Sequence, residues 1–166
     1  MNHSVAFPAE YPPVKVQAQN RQLARSLYGD LASPNSEMTT VQQYLYQQWV
    51  LKAKNPVLSE TIARVNVVER HHLLLIGELL LALGAKPHFS YFQKNVSLPW
   101  NGRLISYEED VKVILRNNIA MEQKAFEIYQ SQAQKCGDPD VSALLLRLSK
   151  DGKVHVELFQ ELLKRG

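Results

Sequence analysis

Two dipeptides 83 positions apart, Asn55-Pro56 and Asp138-Pro139, set the plan of this chain. In each, a short polar side chain can cap the free N–H groups of a new helix. Proline then fills the first helical position, where its missing N–H costs nothing. The helical pattern after Pro56 runs to Gly84, a C-terminal cap, with Pro87 just beyond. The pattern after Pro139 runs to near the C-terminus. Each is preceded by another long helical pattern. One spans about 34–54, with Ser33 as its expected N-cap and Pro34 as its first residue, after a shorter pre-helix at about 20–32. The other follows the capping-box pattern Ser106-Tyr107-Glu108-Glu109, runs to about Lys135 and is closed by Gly137. The first-to-second and third-to-fourth turns are only a few residues long, so each pair forms antiparallel neighbours. Residues 85–105 form a connection that can span a bundle's length at about 3.3 Å per residue. The expectation is an all-α four-helix bundle with one long crossover. Residues 1–19, with Pro8, Pro12 and Pro13 and no apolar period, form an extended N-terminal arm; 20–166 form the bundle domain.

Several classes are excluded. Hydrophobic residues make up 45% and charged residues 21%, which rules out disordered and low-complexity chains. A formal charge of +3, with no basic cluster, argues against nucleic acid. Cys136 is the one cysteine, so no intramolecular disulfide and no four-cysteine metal centre can form. The start MNHSVAFPAEYPP lacks a basic segment followed by an apolar run, and Glu78 interrupts the most apolar stretch, Leu73 to Ala85. A cytoplasmic protein with no membrane contact is expected.

The chemistry lies at the centre of the apolar stripes. Glu37, Val41, Tyr44, Gln48 and Leu51 share a face on the first long helix. His72 interrupts the stripe Val65, Val68, Ile76, Leu79, Leu83, with Glu69 at its edge. Glu122 sits in the middle of Val111, Leu115, Asn118, Tyr129, Ala133, and His155 sits among Val141, Leu145, Leu148, Val156, Phe159 and Leu163. Burying unpaired carboxylates costs several kcal/mol each, about what divalent cations would compensate. One Glu from each of two helices, plus Glu-x-x-His from each of the other two, is the di-iron or di-manganese carboxylate pattern. Glu37 and Glu122 supply the single glutamates, and Glu69-Arg70-His71-His72 supplies a full Glu-x-x-His. The fourth helix offers His155 with Gly152 at the glutamate position; Asp151, about 100° around the helix, is expected to reach inward only through a distorted backbone. The halves repeat. Glu37 and Tyr44, like Glu122 and Tyr129, are seven apart, and His72 and His155 are offset by the same 83 as the two proline signals.

The segments YPPVKVQAQN, QQYLYQQ, ERHH, LGAKPHF, PWNGRLISYEED and HVELFQELL resemble the ferritin-like superfamily, near rubrerythrins, bacterioferritins and manganese catalases. The resemblance covers roughly residues 10–166, and WNGRLISY is similar to the crossover of the manganese-catalase-like branch. It implies a ferritin-like fold and a dinuclear metal site reacting with dioxygen or peroxide. One or two Fe or Mn ions per chain would be held by Glu37, Glu69, His72, Glu122 and His155. Gly152 departs from the pattern and makes the site incomplete. The function expected is a metal-binding oxidoreductase of peroxidase or catalase type, with an external electron donor for any reductase activity. The alternative is a metal-free bundle with a structural or assembly role. Tyr44 and Tyr129 either hydrogen-bond the carboxylates or serve as core aromatics; His71 is peripheral, and Gln43 a plain polar position. A second stripe, Val67, Leu74 and Leu81, faces away from the core. The arm, the pre-helix or another subunit must cover it, and a homodimer is expected.

Overall fold

The computed structural model describes residues 4–165. The first three residues of the expected arm and residue 166 lie outside that range. Five helices follow in order: α1 (Arg21–Ala32), α2 (Glu37–Leu51), α3 (Pro56–Ala82), α4 (Val111–Lys135) and α5 (Pro139–Arg165). α2 packs along α3 and α4 along α5, and α1 is the short pre-helix. Both cap-plus-proline signals work as read. Asn55 accepts the Leu58 N–H at 3.1 Å, and Asp138 accepts the Val141 N–H at 3.2 Å. Gly84, at φ +84°, ends α3. Its own N–H bonds the Leu81 carbonyl and the Ala85 N–H bonds that of Leu80, the paired closure that a left-handed residue permits.

Two helix starts differ from the sequence expectation. Ser33 is occupied in ending α1, its N–H on the Gly29 carbonyl, so Ser36 caps α2 and the helix opens at Glu37. Asp110 rather than Ser106 caps α4, because Glu108 folds back onto the N–H groups of Glu109 and Asp110.

The crossover also holds structure that its helical neighbours concealed. Strands β1 (Ser90–Gln93) and β2 (Val96–Pro99) pair antiparallel, Tyr91 opposite Leu98 and Phe92 opposite Ser97. The two-residue turn Lys94-Asn95 has positive φ at both positions, which matches the twist of a tight hairpin. The crossover is pinned to α2. Trp100 Nε1 donates to Thr39 Oγ1 at 3.0 Å. Gln43, buried rather than plainly polar, exchanges two hydrogen bonds with the Ser106 backbone at 2.8 and 2.6 Å.

The core comes in two clusters. One gathers α1, the C-terminal half of α3 and the junction of α4 with α5, around Leu27, Ile76, Leu79 and Leu145. The other gathers α2 with the far ends of α3, α4 and α5, around Tyr44, Ile62, Leu115 and Phe159. The stripe Val67, Leu74 and Leu81 stays 63%, 55% and 58% exposed, so neither the arm nor α1 covers it. Among the described residues no helix is long and apolar enough to cross a membrane.

Candidate metal centre

Between the two clusters lies a polar layer. Glu37, Glu69, His72, Glu122 and His155 are all buried, and their ligand atoms converge in two groups. Glu37, Glu69 and His72 form one; Glu69, Glu122 and His155 form the other. Glu69 belongs to both. Its Oε2 lies 3.3 Å from His72 Nδ1, and its Oε1 lies 2.7 Å from His155 Nδ1. Glu37 Oε1 stands 3.8 Å from His72 Nδ1, and Glu122 Oε2 stands 3.2 Å from His155 Nδ1. The helical registers account for this. Residues three apart on α3 share a face, which brings Glu69 and His72 together. Glu37 is the first residue of α2, and α4 carries Glu122 inward among Leu115, Asn118 and Tyr129.

The two tyrosines cross over. The Tyr44 hydroxyl of α2 donates to Glu122 on α4, and the Tyr129 hydroxyl of α4 donates to Glu37 on α2. Of the two roles open to them in the sequence, carboxylate binding is the one the structure displays. The repeat thus becomes a two-fold exchange of hydrogen bonds between the helical hairpins.

Outside the layer, both imidazoles turn Nε2 toward acceptors. His155 Nε2 lies 2.7 Å from the Val5 carbonyl, and His72 Nε2 lies 2.9 Å from Asp151 Oδ2. A carbonyl and a carboxylate only accept, so Nε2 carries the proton in both rings. In a neutral imidazole the Nδ1 lone pair then faces the carboxylates.

Asp151 lies outside both ligand groups and is wholly buried on an unbroken helix. It has no need to enter the ligand cluster, because the far nitrogen of His72 comes to meet it. It also lies 2.7 Å from Arg147 Nη1 and accepts the Tyr11 hydroxyl at 2.6 Å and the Phe7 N–H at 2.7 Å. Arg147, Asp151 and His155 fall four apart on α5, a spacing that was visible in the sequence. The contributions of Val5 and Phe7 are main-chain groups and leave no residue signal. His71 is exposed and meets the Tyr11 ring edge-on at 4.6 Å, in keeping with a peripheral role. Gly152 faces Glu122: a Cβ there would lie 3.6 Å from the Glu122 carbonyl and 3.7 Å from Oε2, ordinary contacts. The absent side chain leaves space beside the Glu122–His155 group.

The charges are strongly coupled. Burial pushes the Glu37 and Glu122 carboxyls above the usual range, and the Glu69 charge adds to both shifts. Burial also opposes Glu69 ionisation, but His72 and His155 outweigh it and hold Glu69 well below that range. For His72, burial favours the neutral ring, yet Glu69, Asp151 and Glu37 prevail and lift it to about 10. His155 is raised in the same manner, by Glu122 and Glu69 against burial. Burial works against an ionised Asp151 too; hydrogen bonds from His72, Tyr11 and Arg147 overcome it and bring the group to about 2.

These residues fit a divalent metal. Glu69 Oε1 is buried and has no hydrogen-bonded partner, since its close approach to His155 Nδ1 lies outside hydrogen-bond geometry. A cation that displaces the Nδ1 proton would satisfy both. Three carboxylates and two imidazole nitrogens, with no thiolate, form a donor set suited to manganese or iron.

The Rubrerythrin family model matches residues 32–163, a span that contains all five of these side chains. The chain belongs to the rubrerythrin family. A probable manganese catalase of Clostridium acetobutylicum is 24% identical over 170 residues, covering 92% of this chain and 75% of its own length. A manganese catalase structure from Anabaena superposes with a TM-score of 0.84 at 21% identity, covering 96% of this chain and 80% of that one. A bacterioferritin structure from Desulfovibrio desulfuricans gives 0.73 at 17% identity, covering 87% and 80%. These likenesses establish the ferritin-like bundle. For a member of this family, the pairing of two buried carboxylate–imidazole groups around one shared glutamate is the feature with chemical meaning.

Proposed function

We propose that this rubrerythrin-family chain is a dinuclear metalloenzyme of peroxide disproportionation. The observation that carries the proposal is the position of Glu69, with one carboxylate oxygen beside each metal-facing imidazole nitrogen. Glu37, Glu69 and His72 would hold one ion, and Glu69, Glu122 and His155 the other. Manganese or iron, when bound there, supplies Lewis acidity and a redox couple. The relatives named as manganese catalases favour manganese and peroxide. Disproportionation also balances unaided: two molecules of hydrogen peroxide give one dioxygen and two waters, one peroxide being oxidised and the other reduced. No external electron donor is then required, whereas a reductase activity would need one.

The chain's own groups have definite tasks. The three carboxylates neutralise the metal charge, and the two apolar clusters keep bulk water from the layer. Tyr44 donates to the Glu122 oxygen that faces away from His155, and Tyr129 donates to Glu37, which fixes the carboxylate orientation. Gly152 places no side chain on the flank where a further carboxylate would otherwise stand, and a Cβ-sized space remains beside Glu122.

The test is metal content and oxygen evolution. Protein produced with manganese and iron should carry one to two ions per chain and release dioxygen from hydrogen peroxide. Glu69→Ala should lose both ions and the activity, because the shared carboxylate serves both groups. The competing reading, a metal-free assembly protein, is favoured by Gly152. It requires that a chelator leave the melting temperature unchanged, and a chelator-induced fall would exclude it. We also propose a homodimer, supported by the uncovered stripe Val67, Leu74 and Leu81. Leu74→Glu should convert a dimer to a monomer in sedimentation velocity; a monomeric parent protein would refute this.

A further inference from the structure

Both imidazoles of the centre end on the same short stretch of the N-terminal arm. His155 Nε2 reaches the Val5 carbonyl at 2.7 Å. His72 Nε2 reaches Asp151, which in turn holds the Phe7 N–H and the Tyr11 hydroxyl. Arg147 ties down the chain between these points. Its Nε donates to the Ala9 carbonyl and its Nη2 to the Phe7 carbonyl, each at 2.9 Å. The guanidinium lies over the Tyr11 ring, 4.0 Å from its centre, and 5.6 Å from that of Phe7. Residues 5–11 belong to no helix or strand, so little local order holds them. What fixes them is the outer rim of the metal centre.

The dependence runs the other way too. A neutral imidazole has one ring proton, and its position decides which nitrogen can bind a metal. The Val5 carbonyl holds the His155 ring by its Nε2–H. Without it, nothing on that side keeps Nδ1 aimed at Glu122 and Glu69. At the other imidazole, Tyr11 and the Phe7 N–H hold the Asp151 carboxylate that performs the same service for His72.

We infer that residues 5–11 are a strap that sets the ring orientation of both metal-facing histidines at once, with Tyr11 and the Val5 carbonyl as positioning groups. The metal-binding part of this inference rests on the proposed function; the setting of the histidine rings does not. Two variants of the full chain separate the ends of the strap. Deletion of residues 2–6 removes the Val5 carbonyl, and Tyr11→Phe removes one donor to Asp151. The readouts are titration calorimetry with Mn²⁺ alone and imidazole ¹⁵N NMR of metal-free protein, with circular dichroism for helix content. Partners of this kind contribute about 10–100-fold in metal affinity. The deletion should therefore weaken Mn²⁺ binding by about 10–100-fold and shift the His155 ring resonances, because its Nε2–H loses the Val5 acceptor. Tyr11→Phe should shift the His72 resonances, leave those of His155 in place, and weaken one Mn²⁺ equivalent by up to about tenfold. Unchanged imidazole spectra in the two variants would overturn the strap, as would parental Mn²⁺ affinity in the deletion. If the deletion fails to fold, Tyr11→Phe decides by its His72 signals. If the parent chain binds neither Mn²⁺ nor Fe²⁺, the metal reading fails, and the metal-free spectra still decide whether the strap holds the histidine rings.

Discussion

The two ends of the candidate metal centre share one plan and differ in their backing. At each end a glutamate takes a tyrosine hydroxyl from the opposite hairpin, and a histidine turns Nδ1 inward. Behind His72 stands a full carboxylate, Asp151, itself braced by Arg147 and Tyr11. Behind His155 stands a neutral main-chain carbonyl, and beside it Gly152 leaves a carboxylate position blank. A carboxylate partner makes an imidazole a stronger donor than a carbonyl does. The symmetry of the repeat therefore covers the ligands, while the outer supports make one end the tighter. The first Mn²⁺ equivalent should go to Glu37, Glu69 and His72, and the second should bind more weakly.

The strongest way to break this contrast is Asp151→Asn. It removes the charge behind His72 and leaves Arg147 with a weaker partner. Affinity for the first ion should fall about 10–100-fold in calorimetry, with the second little changed. An equal loss at both positions would show that the ends are not independently supported. Gly152→Glu acts on the other end. The added carboxylate would point toward Glu122, and the second ion should bind about tenfold more tightly, which narrows the gap between the two steps. The metal-free protein should meanwhile lose stability, because a like charge joins a buried acidic group. The smallest effect belongs to Gly152→Ala. Its Cβ meets only ordinary contacts, so the gain in helix preference should stabilise the fold by about 0.5–1 kcal/mol in denaturant melts. A marked loss would mean that the space beside Glu122 is filled by something an alanine displaces.

What was legible in the sequence follows from how locally each feature is encoded. The helices and their order came from caps, prolines and apolar spacing, which act within a few residues. The five inward-facing acids and histidines were legible because charge inside an apolar stripe is conspicuous. The hairpin at Ser90–Pro99 was not recognised, although Lys94-Asn95 between Tyr91, Phe92 and Val96 carried a turn signal. The contact of Asp151 with the far nitrogen of His72 was not legible, because it depends on the reach of a histidine ring from another helix. The role of the arm was hidden for a deeper reason. It depends on a main-chain carbonyl and N–H meeting side chains some 140 positions away, and no residue type announces such a contact.

The division of the apolar interior has a thermal consequence. Tyr44 rises from one cluster and Tyr129 from the other, and each anchors on an acid carried by the opposite hairpin. Ions seated in the layer would rivet these two greasy halves into a single cooperative block, since anything that binds only the native state adds to its stability. Stripped of them, the bundle is two modest cores joined only through a buried layer of hydrogen-bonded acids and imidazoles, and its unfolding curve should broaden as well as shift downward.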